Sequence, residues 1–278
     1  MNLGRRGERA ISRIVRNPVV RKIDDVILNS SIQENHSKHL KSLRLVEIEA
    51  RCDYRQVILH GKNPSDLLSL LCDKYGSDKG TVTNTSPAYP WPAHSYADFY
   101  SRLYRHCRFN VHKVFECGIG TNNPDLLPPG MDVPRTPGAS LRVWRDYFPN
   151  AIVVGADIDR DTLFEEERIR TFYIDQTDPK AIAEFWETVG LGDFDFIVDD
   201  GLHTFEAGRV LFEESISRLA KDGIYVIEDV RPVDLLRYQN YFPEKEYLVD
   251  YVNLYRPGTE LADNNLVVVR HPQFLGEL

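Results

Sequence analysis

The chain has 278 residues, a formal charge of −8 at pH 7 and an apolar or aromatic share of 42%. This length and composition fit a soluble globular protein with one large domain, or with a domain and an extension. The acidic balance argues against a nucleic-acid-binding protein, because affinity for nucleic acids depends largely on neutralising phosphates. We therefore expect no nucleic-acid partner.

The cysteine spacing and the apolar runs indicate a cellular compartment. Four cysteines, at 52, 72, 107 and 117, show no C-x-x-C spacing, so neither a zinc knuckle nor a redox pair is predicted. No apolar run approaches the roughly 18 residues that suggest a membrane span. The N-terminus is basic but lacks the apolar core and cleavage site of a secretory signal. We expect a cytoplasmic protein with free thiols and no transmembrane segment.

Residues 1–60 form a basic N-terminal extension that we expect to be helical. Seven basic residues and one acid lie between Arg5 and Lys22, and apolar residues there fall loosely at helical spacing until Pro18 interrupts them. A basic amphipathic segment is typical of peripheral contact with an acidic membrane surface or partner. A solvated, partly ordered arm is the alternative.

Residues 61–110 are predicted to form a helical lid or cap region. A first helix opens at Asn63-Pro64-Ser65 and ends near Tyr75-Gly76. A loop rich in Gly, Pro and Ser follows and leads into a second helix from about Tyr96. Polar and aromatic side chains on such a long connection suggest a binding loop, and an ordinary surface loop is the alternative. The side chains concerned are those of Lys79, Trp91, His94 and Tyr96.

Residues 111–278 alternate between strand and helix patterns. Strands separated by helical stretches of 10 to 15 residues indicate β-α-β units and a Rossmann-like α/β fold. We predict a mostly parallel seven-stranded sheet with helices on both faces and an antiparallel last strand pair. The predicted strands are VFECGIGT, AIVVGADID, RTFYID, FDFIVDD, GIYVIEDV, EYLVDYVNLY and NNLVVVRH, and the helices cover about 140–148, 179–188 and 205–219.

A glycine-rich turn follows the first of these strands. Glu116, Gly118 and Gly120 form E-x-G-x-G, which lets the backbone turn sharply and approach a nucleotide-like ligand. The dinucleotide fingerprint requires a third glycine where this chain has Asn123. An NAD-dependent dehydrogenase is therefore the weakest interpretation.

Acids also end the second and third strands. Asp157 stands where a carboxylate suits the ribose hydroxyls of an adenosine, and Asp175 where one can accept from an adenine amino group. Each acid by itself could instead cap a helix or stabilise a turn. Acids at the ends of successive strands favour a ligand site.

Carboxylates and a histidine follow the fourth and fifth strands. Because neighbouring parallel strands end at one edge, the acids Asp199, Asp200, Glu228 and Asp229 are expected to converge. Clustered carboxylates repel unless protonated or bound to a cation, and oxygen ligands suit Mg²⁺ or Ca²⁺. The alternative is that one acid of each pair caps a helix. His203 is a candidate base for a substrate hydroxyl, or a structural loop histidine.

These motifs together resemble a known family. From about Asp73 to Arg270 the chain resembles a class I S-adenosylmethionine-dependent methyltransferase. Within that class it is similar to the metal-dependent sugar O-methyltransferases of natural-product biosynthesis, the mycinamicin and macrocin type. The segments that carry the resemblance are DKYGSDKG, FECGIGT, PGASLRVWRDYFPNAIVVGADI, DQTDP, FIVDDGLH and YVIEDV. Residues 1–60 and the proline-rich insertion 122–135 depart from the pattern.

The resemblance implies roles for individual residues. Glu116, Gly118 and Gly120 would line the methionine part of the cofactor, Asp157 would hold its ribose, and Asp175 with Gln176 would border the adenine. Asp200, Glu228 and Asp229 match the family's Mg²⁺ ligands, and His203 matches its general base, so Asp200 and His203 are the expected catalytic pair. Asp199 is left with two interpretations, a contact to the cofactor or a structural hydrogen bond.

The expected function is an S-adenosylmethionine- and Mg²⁺-dependent O-methyltransferase. Its acceptor would be a sugar hydroxyl of a glycosylated metabolite or glycan with vicinal hydroxyls, and the resemblance suggests a homo-oligomer. One alternative is an O-methyltransferase for a catechol-like or other small-molecule diol. Another is a non-catalytic cofactor-binding protein.

Overall fold

The computed structural model describes residues 55–58, 66–80, 89, 91–126, 136–242, 246–255, 261 and 263–272. All of them belong to one compact unit, Cys52–Leu278. The predicted basic extension falls outside the described residues except at 55–58, and the proline-rich insertion is described only as far as Leu126. The predicted division at residues 60 and 110 stays a prediction. No helix in the described part of the chain is long and apolar enough to cross a membrane.

The predicted mostly parallel α/β sheet is confirmed, but it has nine strands rather than seven. The two additional strands, β1 and β4, lie at opposite edges of the sheet. Both are too short, at four and two residues, to show a strand periodicity in the sequence. The strands are β1 Arg55–Ile58, β2 Lys113–Cys117, β3 Ile152–Asp157, β4 Glu165–Glu166, β5 Ile169–Tyr173, β6 Phe194–Asp199, β7 Leu219–Ile227, β8 Leu248–Tyr255 and β9 Asn265–Arg270.

The strand order is β1-β8-β9-β7-β6-β2-β3-β5-β4. From β2 the chain first moves outward through β3 and β5, and it then returns to the other side of β2 with β6 and β7. The order therefore reverses between β2 and β6, where an open α/β sheet leaves a crevice for ligands. β9 is antiparallel to both β7 and β8, which confirms the predicted antiparallel last pair.

Local capping signals explain where several helices begin. Asp66, Asp178 and Thr204 each accept a hydrogen bond from a backbone N–H in the first turn of the following helix. The helix Phe205–Ser215 is shorter than predicted, because Ile216–Arg218 form a 3-10 turn that leads into β7 at Leu219. The helices are α1 Leu67–Tyr75, α2 Tyr96–Tyr104, α3 Ala139–Tyr147, α4 Pro179–Val189, α5 Phe205–Ser215 and α6 Pro232–Tyr241, and the sequence analysis did not predict α6.

Aromatic side chains fix α2 and α3 to the sheet. Tyr100 of α2 contacts Trp144 of α3 and Phe196 of β6 edge to face, with ring centroids 5.5 and 5.3 Å away. Such pairs contribute about 0.5–1.5 kcal/mol each beyond the area that they bury. On the opposite face, Phe115 of β2 packs on Trp186 of α4. Both faces of the sheet are therefore covered by helices. The contacts of Tyr100 fix α2 close to the carboxyl ends of the strands in the sheet.

Candidate active site

The central strands end level with one another. Cys117 at the end of β2 lies opposite Ala156 of β3 and Asp199 of β6, and Asp199 lies opposite Ile227 of β7. The pairing continues one step beyond the strands, where Asp200 N donates to Cys117 O at 2.9 Å and Glu228 N donates to Asp199 O at 2.9 Å. The predicted site residues therefore emerge side by side.

Asp200, His203 and Asp229 form a three-residue cluster at this edge. Each offers one ligand atom, and these atoms lie within 4.8 Å of one another. His203 bridges the two acids, with Nε2 3.4 Å from Asp200 Oδ1 and Nδ1 3.3 Å from Asp229 Oδ2. Two carboxylates and an imidazole in this arrangement suit a divalent cation. The cluster fits the Mg²⁺ that the sequence analysis expects.

Two members of this cluster have strained backbones. His203 and Asp229 have φ values of +55° and +52°, in the left-handed region that residues other than glycine rarely adopt. Each such residue costs on the order of 1–3 kcal/mol, and strain of this kind concentrates at functional sites. Both residues supply ligand atoms to the cluster with Asp200.

The charge state of His203 depends on the two acids beside it. Burial lowers the pKa of His203, but Asp200 and Asp229 outweigh that effect and raise the pKa to about 10. The two carboxylates thus favour the protonated imidazole. Compensation of their charge would favour the neutral form, which can accept a proton.

Glu228 does not join this cluster. Its carboxylate is buried and accepts hydrogen bonds from Lys79 Nζ and from the hydroxyl of Tyr100. Burial raises the pKa of Glu228, and the Lys79 ammonium opposes that shift. The predicted role of Glu228 as an Mg²⁺ ligand stays a prediction. The structure shows it one layer deeper than Asp200 and Asp229.

Asp229 is held from the side of the predicted lid region. Tyr96 donates from its hydroxyl to Asp229 Oδ1 at 2.5 Å, and His94 Nδ1 lies 3.2 Å from the same oxygen. The sequence analysis singled out His94, Tyr96 and Lys79 as loop residues but did not place them on these acids. It missed Tyr100 altogether, although the spacing of Tyr96 and Tyr100 puts both on one face of α2.

The glycine turn opens beside the acids. Gly118 and Gly120 have φ values of +87° and +86°, as the sharp turn predicted from the sequence requires. A Cβ at Gly118 would lie 2.0 Å from the carbonyl oxygen of Asp200, whereas a Cβ at Gly120 would meet nothing within 4 Å. The turn thus packs on one side against the acids and leaves space at Gly120. This cradle fits the expected nucleotide-like cofactor.

Two buried carboxylates, those of Asp157 and Glu116, lie close to this turn in the fold. Asp157 accepts hydrogen bonds from Ile119 N at 2.8 Å and from Asp159 N at 2.9 Å, and burial raises its pKa. Glu116 is buried at the end of β2 and accepts from Trp144 Nε1 at 2.5 Å. The structure therefore shows Asp157 holding the turn through Ile119 and Glu116 bonded to α3 through Trp144. Their predicted contacts with a cofactor stay predictions.

Gln176, which follows β5, contacts the residues at the end of β6. Its Nε2 donates to Asp199 Oδ1 at 2.9 Å, and its Oε1 accepts from Leu202 N at 2.7 Å. Asp199 is buried, which raises its pKa to about 6. The structure shows Asp199 in a hydrogen bond with Gln176, and its alternative contact with the cofactor stays a prediction. Asp175 accepts from Thr177 N at 2.9 Å in a local turn, and its predicted adenine contact stays a prediction.

Comparisons with curated proteins support the resemblance inferred from the sequence. No protein-family model matches the chain. It is 30% identical over 164 residues to an 8-demethyl-8-alpha-L-rhamnosyl tetracenomycin-C 2'-O-methyltransferase of Streptomyces olivaceus, which covers 59% of this chain and 38% of that protein. It is 32% identical over 160 residues to a demethylmacrocin O-methyltransferase of Streptomyces fradiae, which covers 57% of this chain and 38% of that protein. The chain thus spans about two fifths of the length of the curated relatives that it matches.

A solved structure shares the fold. The MycE methyltransferase from the mycinamycin biosynthetic pathway, in complex with Mg, SAH and mycinamycin VI, superposes with a TM-score of 0.54 at 23% identity. The match covers 78% of this chain and 58% of the MycE chain. The fold is therefore that of a class I methyltransferase, and the resemblance to natural-product sugar O-methyltransferases is confirmed.

Proposed function

We propose that the chain is an S-adenosylmethionine-dependent, Mg²⁺-dependent O-methyltransferase that acts on a sugar hydroxyl of a glycosylated metabolite or glycan. The observation that carries this proposal is the meeting of Asp200, His203 and Asp229 at the switch point of a class I methyltransferase sheet, beside the glycine turn. The relatives are named for sugar O-methylation, and MycE was solved with Mg, SAH and a glycosylated macrolide, mycinamycin VI.

Asp200 and Asp229 are the proposed holders of the cation, with His203 beside them and Glu228 as the further ligand that the resemblance implies. A bound divalent cation supplies positive charge that orients vicinal hydroxyls and lowers the pKa of one of them. Asp200 and Asp229 keep 22% and 13% of their side-chain surface exposed, so both are reachable from the crevice.

His203 is the proposed general base. It is the most exposed of the three residues, with 39% of its side-chain surface accessible, which supports contact with an acceptor. Compensation of the charge on Asp200 and Asp229 would weaken their effects on its pKa, which they raise. The imidazole can then take the proton of the acceptor hydroxyl.

The glycine turn and the buried acids below it are the proposed cofactor cradle. S-adenosylmethionine supplies an electrophilic methyl group, and its transfer needs alignment of the two reactants more than covalent help. Gly118 and Gly120 allow close approach of the backbone, and Asp157 fixes the turn. Asp175, Gln176 and Asp199 border the same crevice as proposed cofactor contacts.

The remaining expectations on partners and compartment are proposals as well. We propose a homo-oligomer in the cytoplasm, with the basic N-terminal extension available for a peripheral contact. Cys72, Cys107 and Cys117 are free thiols, which supports a reducing compartment. Light scattering of the purified protein tests the oligomeric state, and a monomer at micromolar concentration would contradict it.

Transfer of a labelled methyl group to a panel of acceptors tests the function. We expect label on demethylated glycosides with vicinal hydroxyls, loss of transfer in EDTA and recovery on adding Mg²⁺. Label on catechols alone would favour the diol alternative. If calorimetry detects no binding of S-adenosylmethionine, both the sugar O-methyltransferase and the diol O-methyltransferase are excluded.

His203→Ala tests the proposed base. We expect turnover to fall by about 10²- to 10⁴-fold while S-adenosylhomocysteine binding stays within about threefold. His112→Ala is the matched control, since His112 is an exposed histidine at the opposite end of β2. Unchanged turnover of His203→Ala would remove His203 from the mechanism.

A further inference from the structure

Lys79 is a buried cation among three carboxylates. Its Nζ lies 2.5 Å from Asp200 Oδ2 and 3.4 Å from Glu116 Oε1, and it forms a still closer ion pair with Glu228 Oε2. Only 4% of the Lys79 side chain is exposed. Within the described ranges, it is the only Lys or Arg side chain paired with these acids.

The backbone around Lys79 is fixed at both ends. Ala97 N of α2 donates to Lys79 O at 2.7 Å, and Ser77 N donates to Cys72 O of α1 at 3.0 Å. Gly80 packs so closely on Cys72 that a Cβ there would lie 2.5 Å from the Cys72 Cβ. The ammonium is therefore delivered to the acids from a rigid segment.

Asp200 uses its two oxygens on opposite sides. Oδ2 accepts from Lys79, and Oδ1 faces Nε2 of His203 in the cluster proposed for the cation. The hydroxyl of Tyr100 and the ammonium of Lys79 likewise occupy both oxygens of Glu228. Lys79 thus contacts the inner oxygen of Asp200, while the outer oxygen stays within the cluster beside His203.

Lys79 also contributes positive charge to a region that is rich in carboxylates. Glu116, Asp200, Glu228 and Asp229 bring four carboxylates to one edge of the sheet, and a buried carboxylate without a partner is strongly destabilising. A divalent cation bound by Asp200 and Asp229 would leave the inner carboxylates of Glu116 and Glu228 to another positive charge. The ammonium of Lys79 lies in contact with both of these inner acids.

We propose that Lys79 is a positioning residue of the site, an internal cation that holds Asp200 and Glu228 in place for a divalent metal. This inference rests on the proposed function, since it concerns the same acids. The Lys79 side chain is buried against the inner oxygen of Asp200. It acts through the carboxylate of Asp200.

Lys79→Met tests this role through stability and metal affinity, without any activity measurement. We expect the melting temperature to fall by about 5 °C or more, because the buried carboxylates of Glu116 and Glu228 and the partly exposed one of Asp200 lose their cation. We expect Mn²⁺ binding, followed by electron paramagnetic resonance, to weaken by about tenfold or more. Lys221→Met is the matched control, because Lys221 is exposed on β7, and it should leave both quantities unchanged.

The double variant Lys79→Met/Glu228→Gln separates a charge effect from a packing effect. Removing the charge of Glu228 should make the double variant melt at a higher temperature than Lys79→Met alone. A double variant that is no more stable than Lys79→Met, or that also fails to fold, overturns the proposal.

The metal measurement also separates this inference from the proposed function. If the unchanged protein binds Mn²⁺ and Lys79→Met binds it equally well or more tightly, Lys79 has no positioning role and the proposed function stands. If the unchanged protein neither binds Mn²⁺ nor transfers methyl groups, the proposed function fails. The melting temperatures of Lys79→Met and of the double variant then still show whether the ion pair of Lys79 with Glu228 stabilises the protein.

Discussion

At the scale of single residues, two neighbouring glycines of the turn meet different surroundings. Gly118 and Gly120 share a left-handed backbone, so a side chain strains either position. Gly118 also touches the backbone of Asp200, whereas Gly120 faces open space. The same substitution therefore has different consequences at the two positions.

We predict that Gly118→Ala destabilises the protein by more than about 2 kcal/mol, because strain and a backbone clash add together. Gly120→Ala should cost about 1 kcal/mol and leave the protein folded. It should nevertheless weaken S-adenosylhomocysteine binding by about tenfold or more, because the methyl group enters the proposed cradle. Urea unfolding and calorimetry measure the two effects.

Gly192→Ala is the control for these two variants. Gly192 does not have a left-handed backbone, and a Cβ there would meet nothing within 4 Å. It should change neither stability nor binding appreciably. Equal loss of stability in Gly118→Ala and Gly120→Ala would refute the difference in packing described above.

At the scale of elements, a carboxylate connects α1 with α3. Asp146 of α3 accepts hydrogen bonds from Tyr75 at 2.5 Å and from Lys74 at 3.0 Å, and Arg145 Nε adds a third at 2.9 Å. Burial raises the pKa of Asp146, but these three hydrogen bonds outweigh it and lower the pKa to about 2. This contact anchors the helix that precedes the Lys79 segment.

Asp146→Asn should therefore reduce the free energy of unfolding by about 1–2 kcal/mol at pH 7. The contribution of a carboxylate with a lowered pKa is fully present above its unfolded pKa near 3.8 and is lost as the pH falls towards 2. The difference between the two proteins should narrow over that range in urea unfolding. A difference that is constant from pH 7 to pH 2 would show that the hydrogen bonds, and not the charge, are responsible.

The elements that the sequence predicted are those with strong local signals. The buried strands β2, β3, β6 and β7 appear as apolar runs, and acids at their ends marked the crevice. The short strands β1 and β4 gave no periodicity. The helix α6 was not predicted, although it begins at Pro232, and proline is common in the first turn of a helix.

The sequence predicted the acids of the site, but it did not predict the side chains that contact those acids. Asp200 and Asp229 end buried strands, and position along a strand is a local property. Lys79 and Tyr100 meet Asp200 and Glu228 across 121 and 128 residues. Such contacts depend on how α2 docks on the sheet, which no local spacing reveals.

At the scale of the whole molecule, the cation proposed for the site should stabilise the fold. A ligand that binds only the folded protein at one hundred times its dissociation constant adds about 2.7 kcal/mol. For a chain of this size we expect saturating Mg²⁺ to raise the melting temperature by about 5 °C or more. Differential scanning fluorimetry with and without EDTA measures the change.

Asp229→Asn should abolish this stabilisation by Mg²⁺ while the protein without metal stays folded. Asp222→Asn, an exposed acid near the start of β7, is the control and should respond to Mg²⁺ like the unchanged protein. An equal gain from Mg²⁺ in Asp229→Asn would place the stabilising cation elsewhere on the molecule.

The separation in sequence between Lys79 and its partners also sets an order of events during synthesis. Glu228 is added 149 residues after Lys79, which at about 5–20 residues per second takes about 7–30 s. The nascent chain carries the lysine without Asp200 for the first 121 of these residues, and without Glu228 for the whole interval. The site is therefore completed only after β6 and β7 have been synthesised, and the part of the protein that encounters the cation is assembled late in translation.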